Sequence, residues 1–262
     1  MMHPFVALMR RYVTEYLIGQ NPAVCKEIME PDYVLHMGGT DLGPRDEAYV
    51  PAVVRQLEQF PGLCMTVHEI ILSTDDRLAM SFSQHGSSAR HEGRAAAWAG
   101  IGLYKWNGAR LTSNYALEDY FSRRLQLLRA VPNAVEAPAV APWNTHPAAR
   151  NFSAEAAVRS WLMHEVWRHA DQIAFDDEPI GSSEPLIEVE DTVVDDLFSA
   201  GDRVAFHTTQ TGRYLGGLGT APDAIGRTAT LYSAGIVGVD AAGRIVGRVI
   251  RERAGLARSV GR

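Results

Sequence analysis

Phe5, Leu8, Met9, Tyr12, Val13, Tyr16 and Leu17 recur at three- and four-residue steps, which places them on one face of an N-terminal helix. Gly19 and Asn21-Pro22 end that helix, and a short second helix is expected over 22–29. Tyr33–Met37 alternates as a strand does. Val50, Val53, Val54 and Leu57 give a third helical stripe, with Pro51 in its first turn, where a missing N–H is tolerated. Phe60-Pro61-Gly62 closes it. From Leu63 the period falls to two. Strands are predicted at 63–73, 77–87, 95–106 and 110–118, with turns at Thr74–Asp76 and Asn107-Gly108. Helices first and a meander of strands after predict an α+β unit, its helices packed on one face of a curved antiparallel sheet.

The pattern then repeats. Asp75-Asp76-Arg77 opens an alternating run to Gly86, and Gly201-Asp202-Arg203 opens another to Gly212. Each is followed by a second strand-like run and a turn glycine, Gly108 or Gly243. A repeat this long means two related domains rather than a solenoid. The expected division is a first domain over 1–128, a linker over 129–152 and a second domain over 153–262. The linker is rich in proline and alanine and reads as semi-extended. Ser153 is a candidate N-cap for a helix carrying Val158, Trp161, Leu162, Glu165, Val166 and His169 on one face. Strands follow at 186–197, 203–212, 226–238 and 244–252. Little chain separates helix from strand here, so the second copy has lost a strand and a helix or compressed them into a loop.

Composition narrows the field. With 46% hydrophobic and 21% charged residues the chain has the make-up of a soluble globular protein. A net charge of −6 gives no basic footprint for nucleic acid. Arg10, Arg11 and Glu15 interrupt the N-terminal apolar run, so it reads as an amphipathic helix without the long uncharged core of a signal sequence, and no stretch approaches the roughly 20 apolar residues of a membrane span. Cys25 and Cys64 have no metal or redox spacing and read as buried free thiols, which fits a cytoplasmic protein.

Several segments together resemble the SnoaL-like polyketide cyclases of the nuclear transport factor 2-like superfamily. In the first half these are Asp32-Tyr33-Val34-Leu35-His36 with Leu42-Gly43, then Phe60-Pro61, then Tyr115, Asp119 and Gln126-Leu127. In the second they are Gly201-Asp202-Arg203-Val204, Gly212-Arg213-Tyr214-Leu215-Gly216, Ala221-Pro222, Ile225-Gly226-Arg227 and Ala242–Val246. The resemblance implies two cone-shaped domains, each a curved antiparallel sheet with helices closing an apolar pocket on its concave face. Packed sheet to sheet, they would form a pseudo-dimer within one chain, leaving room for higher oligomers. The family's turn histidine is replaced by Ser87-Ser88 in the first half, with His91 nearby, and by Tyr214 in the second. The closing aromatic and acid align with Val249 and Arg253. The second domain is therefore expected to be degenerate and the first to be active.

Enzymes of this kind need little machinery. A carboxyl group in a dry pocket has its charged form disfavoured, so it can exchange a proton near neutral pH. Asp119 is the first candidate, and it is equally placed to cap the following helix with Arg123 as partner. Glu118 falls on the opposite side of the strand and is expected to be exposed. His36 is the second catalytic candidate. Tyr12, His91, Trp98, Tyr104 and Tyr115 are expected substrate contacts; Trp98 and Tyr104 are in phase with Gly100 and Gly102. His85 shares a face with Ser81 and Ser83 and is expected on the outer side. His207 and Tyr214 are candidates for a second pocket. No metal or cofactor motif is present: Gly216-Gly217-Leu218-Gly219 is a hairpin loop, not a phosphate loop, and no Gly-x-Ser-x-Gly elbow exists.

The expected activity is cofactor-independent cyclisation, isomerisation or dehydration of a small apolar carbonyl compound, without nucleic-acid or membrane partners. One alternative is epoxide hydrolysis of the limonene epoxide hydrolase type, with Asp32 or Asp46 as second carboxylate. Another is a non-catalytic small-ligand binding or scaffold protein.

Overall fold

The computed structural model describes residues 2–164 and 170–261. Glu165, Val166 and His169 of the expected helical face lie outside the described residues.

In the first half, α1 (Pro4–Arg11) starts on Pro4 and runs on as a π-helical turn over Tyr12–Ile18. A single turn, α2 (Cys25–Ile28), follows. The sheet comprises β1 (Met29–Met37), β2 (Thr40–Leu42), β3 (Cys64–Leu72), β4 (Arg77–Ser87), β5 (Ala95–Trp106) and β6 (Leu111–Glu118), in the order β2-β1-β6-β5-β4-β3. Between β2 and β3 lies α3 (Val50–Gln59), and after β6 comes α4 (Tyr120–Arg129). The sheet is mixed rather than wholly antiparallel, because β1 pairs with β6 in parallel. The helical segments between β1 and the later strands carry the chain across, as a parallel pairing requires.

Strand parity sorts the side chains. Leu78, Met80 and Phe82 of β4 enter the main core with Tyr12, Tyr16, Tyr33, Tyr49 and Tyr104, under the N-terminal helical segments. Ala79 of β4, Ala99, Ile101 and Leu103 of β5 and Leu117 of β6 face the other way.

The second half has five strands: β7 (Ile173–Phe175), β8 (Ile187–Ala200), β9 (Arg203–Tyr214), β10 (Thr228–Val239) and β11 (Ile245–Arg251), in the order β7-β11-β10-β9-β8. The missing strand is therefore compressed rather than lost, since β7 runs parallel beside β11 as β1 does beside β6. Two helices flank the strands, α5 (Phe152–His164) and α6 (Arg253–Val260). Asn151, not Ser153, caps α5: its side-chain oxygen accepts the Ala154 N–H at 3.0 Å.

The ladders fix which positions correspond. Met80 pairs with Gly102 and Gly102 with Ala116, while Phe206 pairs with Gly235 and Gly235 with Val249. Two residues on, Glu118 corresponds to Arg251 and Asp119 to Glu252. Each of the latter caps the helix that follows, Asp119 on Ser122 N and Glu252 on Gly255 N. The sequence alignment of Asp119 with Arg253 was thus one residue off, as was that of Tyr115 with Val249.

The outward faces of the two sheets meet. Ala79, Ala99, Ile101, Leu103 and Leu117 pack against Phe198, Ala200, Ala205, Ala234, Ile236 and Ile250. The repeated turn arginines explain themselves here. Arg77 pairs with Asp196 of β8, and Arg203 grips both oxygens of Glu69 on β3 at 2.6 Å. Glu69 lies opposite Ser81 and Asp196 opposite His207, which are corresponding positions. The contact is therefore reciprocal, as an isologous interface is. Residues 131–151 strap the edge of β3, with Ala139 N bonded to Val67 O and Ala148 N to Leu72 O, both at 2.9 Å. That covers an edge which would otherwise be open to pairing.

Candidate active site

The first sheet and its helices enclose a cavity of about 200 Å³. Its wall is mostly apolar, with Leu17, Leu35, Met37, Val53, Met65 and Phe82 among its members, and a few polar groups converge on it: Tyr12, Tyr49, Gln56, Gln84, Asn114, Glu118 and Tyr120. Glycines make room for the rings. A Cβ on Gly100 would lie 2.5 Å from the Phe82 ring, and one on Gly102 would lie 2.6 Å from the Tyr104 hydroxyl.

Glu118 is the carboxyl in this cavity. Asn114, Ala116 and Glu118 alternate onto the concave side of β6, so the last residue of the strand points inward. The expectation that Glu118 is exposed fails, because the side away from Asp119 is the inside of the cone. Trp98 Nε1 donates to Oε2 at 2.7 Å, and Gln84 Nε2 lies 3.5 Å from Oε1. Burial pushes the carboxyl above the usual carboxylate range, while the Trp98 N–H, the Arg123 charge and the Tyr120 hydroxyl pull the other way. Arg123 does not pair with Asp119; it lies over the rings of Tyr120 and Trp98, at 4.1 and 5.0 Å from their centroids.

Phenols face this acid. The Tyr12 and Tyr49 hydroxyls are 3.2 Å apart, and Tyr33 donates to Asn114. Burial holds Tyr12, Tyr49 and Tyr104 well above the ordinary phenol value, so they remain protonated. One hydroxyl of the Tyr12–Tyr49 pair must donate to the other.

The other expected residues divide. Tyr12 and Tyr104 line the cavity, and Trp98 stands behind Glu118. Asp119 does not enter it. It is 1% exposed on the opposite side of β6, accepts the Ser122 and Asp177 N–H groups, and pairs with Arg253 Nη2 at 2.5 Å. His36 and Tyr115 also face away from the cone. Their rings stack at 4.7 Å, Tyr115 meets the His207 ring at 4.7 Å, and His36 and His207 bind Asp41 and Asp195. These three rings belong to the contact between the halves. His91 holds Ser88 Oγ on the turn after β4. His85 is on the outer side, as its strand face implied. Cys25 is buried, whereas Cys64 is only half-buried; both are free.

The second cone is filled. Trp161, Phe175 and Phe206 leave about 10 Å³, no more than one water needs. Arg251, at the position of Glu118, is bound to Asp176 Oδ2 through Nε at 2.9 Å and Nη2 at 2.7 Å. Tyr214 is not in this cavity; its hydroxyl accepts the Leu218 N–H inside a separate cluster with Leu231 and Leu256. His207 is on the outer side. Neither forms a second pocket.

Between the halves, Arg253 reaches Asp119, Glu178 and Asp176, the last at 3.2 Å but off the hydrogen-bond line. Asp177 accepts the Ala99 N–H at 3.0 Å. Burial and the adjacent Asp119 raise its carboxyl to about 8. Among the described residues no group of three or more His, Cys, Asp or Glu side chains is arranged to hold a metal ion. No described helix is long and apolar enough to cross a membrane.

No protein-family profile matches the sequence, and no curated protein matches it. Solved structures do. A candidate polyketide cyclase from Acidithiobacillus ferrooxidans is 20% identical, with a TM-score of 0.42 over 48% of this chain and 94% of its own. IdmH, a candidate polyketide cyclase from Streptomyces antibioticus, is 17% identical, with a TM-score of 0.43 over 48% of this chain and 99% of its own. A limonene epoxide hydrolase-like protein from M. tuberculosis is 12% identical, with a TM-score of 0.41 over 49% of this chain and 88% of its own. The solved structures similar to this chain thus include SnoaL-like polyketide cyclases and other nuclear transport factor 2-like proteins, each matched by about half of its length.

Proposed function

We propose that the first cone is a cofactor-independent acid–base site. It moves a proton on a small, neutral, mostly apolar carbonyl compound, the step shared by cyclisation, isomerisation and dehydration of such molecules. The observation that carries this is Glu118, a carboxyl buried in a mostly apolar cavity with one oxygen held by the Trp98 indole. In this reading Glu118 takes the proton next to the carbonyl, and the Tyr12–Tyr49 hydroxyl pair donates to the oxygen on which charge builds. Among the described residues no Lys or Arg lines the cavity, so an anionic group on the substrate would meet the Glu118 carboxyl without a cation to offset it. A volume of about 200 Å³ lies below the usual span of ligand pockets, which favours a compact substrate.

Opening an epoxide by the two-carboxylate route fits poorly. Glu118 is the single carboxylate among the described lining residues. Asp32 is exposed, and Asp46 is exposed and occupied by Arg45.

The test is proton exchange at carbon. In D₂O, the protein should speed loss of the protons beside the carbonyl of 2-tetralone, followed by NMR. Glu118→Gln keeps the shape and an acceptor for Trp98 but cannot take the proton. It should slow exchange by roughly 10²–10⁴. Exchange at the unmodified rate in that variant would rule the reading out.

A further inference from the structure

Glu118 is met on its second oxygen by a chain of side chains that begins at the Tyr120 hydroxyl, itself a neighbour of the carboxyl. Tyr120 donates to Gln56 Oε1 at 3.1 Å, Gln56 Nε2 donates to Gln84 Oε1 at 2.6 Å, and Gln84 Nε2 faces Glu118 Oε1 at 3.5 Å. Three elements contribute: α3, β4 and the first residue of α4. The direction is forced from one end. An ionised carboxylate only accepts, so the N-end of Gln84 must face it. The O-end of Gln84 then faces Gln56, which must donate and so turns its own oxygen to the Tyr120 hydroxyl. Gln84 is 3% exposed, whereas Gln56 is half-buried on the helix at the cavity wall.

We propose that Gln56, which does not itself reach the carboxyl, is a positioning residue that locks Gln84 with its N–H₂ end on Glu118 Oε1. Without Gln56, Gln84 is free to turn its oxygen toward the carboxyl, which then loses a donor and gains a repulsive neighbour. The 3.5 Å contact is long, and it tightens when Glu118 ionises, because a charged acceptor draws its donor in. Gln56 thereby favours the ionised, proton-accepting form against the burial that opposes it. This rests on the acid–base reading of the cavity, but its test does not need turnover.

The ligand-free protein is labelled with ¹³C at the glutamate side-chain carboxyls, and the Glu118 resonance is assigned by its absence in Glu118→Gln. Its titration midpoint is then followed by NMR in Gln56→Met, in Gln84→Met and in the double variant. Each single change should raise the midpoint by about half a unit or more, the gain of a hydrogen bond to the charged carboxylate over one to the neutral acid. The double variant should go no further than the larger single, because both act through one link. Gln56→Leu serves if the Met variant does not fold. A midpoint that stays put in the Gln56 variants while melting falls would make Gln56 merely structural and overturn the proposal, as would additive shifts. If instead the midpoints move as expected but Glu118→Gln exchanges 2-tetralone protons normally, the relay stands and the proposed function alone falls.

Discussion

Replacing Asp119 by Ala removes two things at once, the cap on α4 and a partner of Arg253. Loss of the cap costs about 1 kcal/mol. Breaking a buried pair costs about 3–5 kcal/mol, and the lower end applies because Arg253 keeps Asp176 and Glu178. Asp119→Asn should recover the cap share. Urea melts should rank the variants Asp, Asn, Ala, while 2-tetralone exchange per folded molecule stays unchanged in all three. A rate that collapses in Asp119→Asn with normal melting would return the chemistry to Asp119. The sequence made Asp119 attractive through its spacing from Tyr115, yet a spacing of four on a strand puts both residues on one side. That side is the one that meets the other half. The signal for Glu118 was present in Trp98 and Tyr104, which alternate in phase with Gly100 and Gly102. Carrying that face across the Asn107-Gly108 turn needs the ladder register. A register irregularity between Lys105 and Trp106 hides it from a simple count.

At the scale of elements, β4 and β5 lie within the bounds their alternation and turns predicted, because both are long, central and two-sided. β7 escaped notice. Three residues give no period to read, and the strand exists because β11 offers it an edge. Its following turn delivers Asp176, Asp177 and Glu178 to the junction. Asp177 carries a consequence for pH. Its carboxyl titrates near 3.9 when unfolded and at about 8 when folded, so between these values the folded state holds the extra proton. Stability from this group is full below the lower value and drains away as pH climbs to the upper one. Asp177→Asn cannot ionise. It should flatten the decline between about pH 4 and pH 8 and be the more stable protein at pH 8.5. Guanidinium melts across that range decide it. A variant whose curve tracks the unmodified protein would show that Asp177 is ionised when folded.

For the molecule as a whole, the contact between sheets holds more than the strap between domains. Apolar clusters and the reciprocal Arg77–Asp196 and Arg203–Glu69 pairs join the halves, while Val140 in the strap is 100% exposed. A protease site inserted after Val140 should be cut without separating the pieces. The nicked protein should run at the mass of the intact chain on size exclusion with light scattering, and two half-sized peaks would contradict the account of the interface. The repeat, the two-sheet plan and the shortened second copy were legible because each rests on local periodicity and turns. The contents of the two cones were not, since filling depends on side chains from strands far apart in the chain.

The reciprocal arginine pairs have a consequence for stoichiometry. A two-fold dimer of single cones writes both faces with one stretch of gene, so it must carry two copies of whatever site it has. Here each half is spelled separately. The same two-fold contact therefore coexists with an acid in one cone and a neutralised arginine in the other. On the proposed reading of the first cone, the chain should take up one ligand. Calorimetric titration that saturates at one equivalent of a bound ketone is the expected signature, and two equivalents would mean that the second cone opens after all.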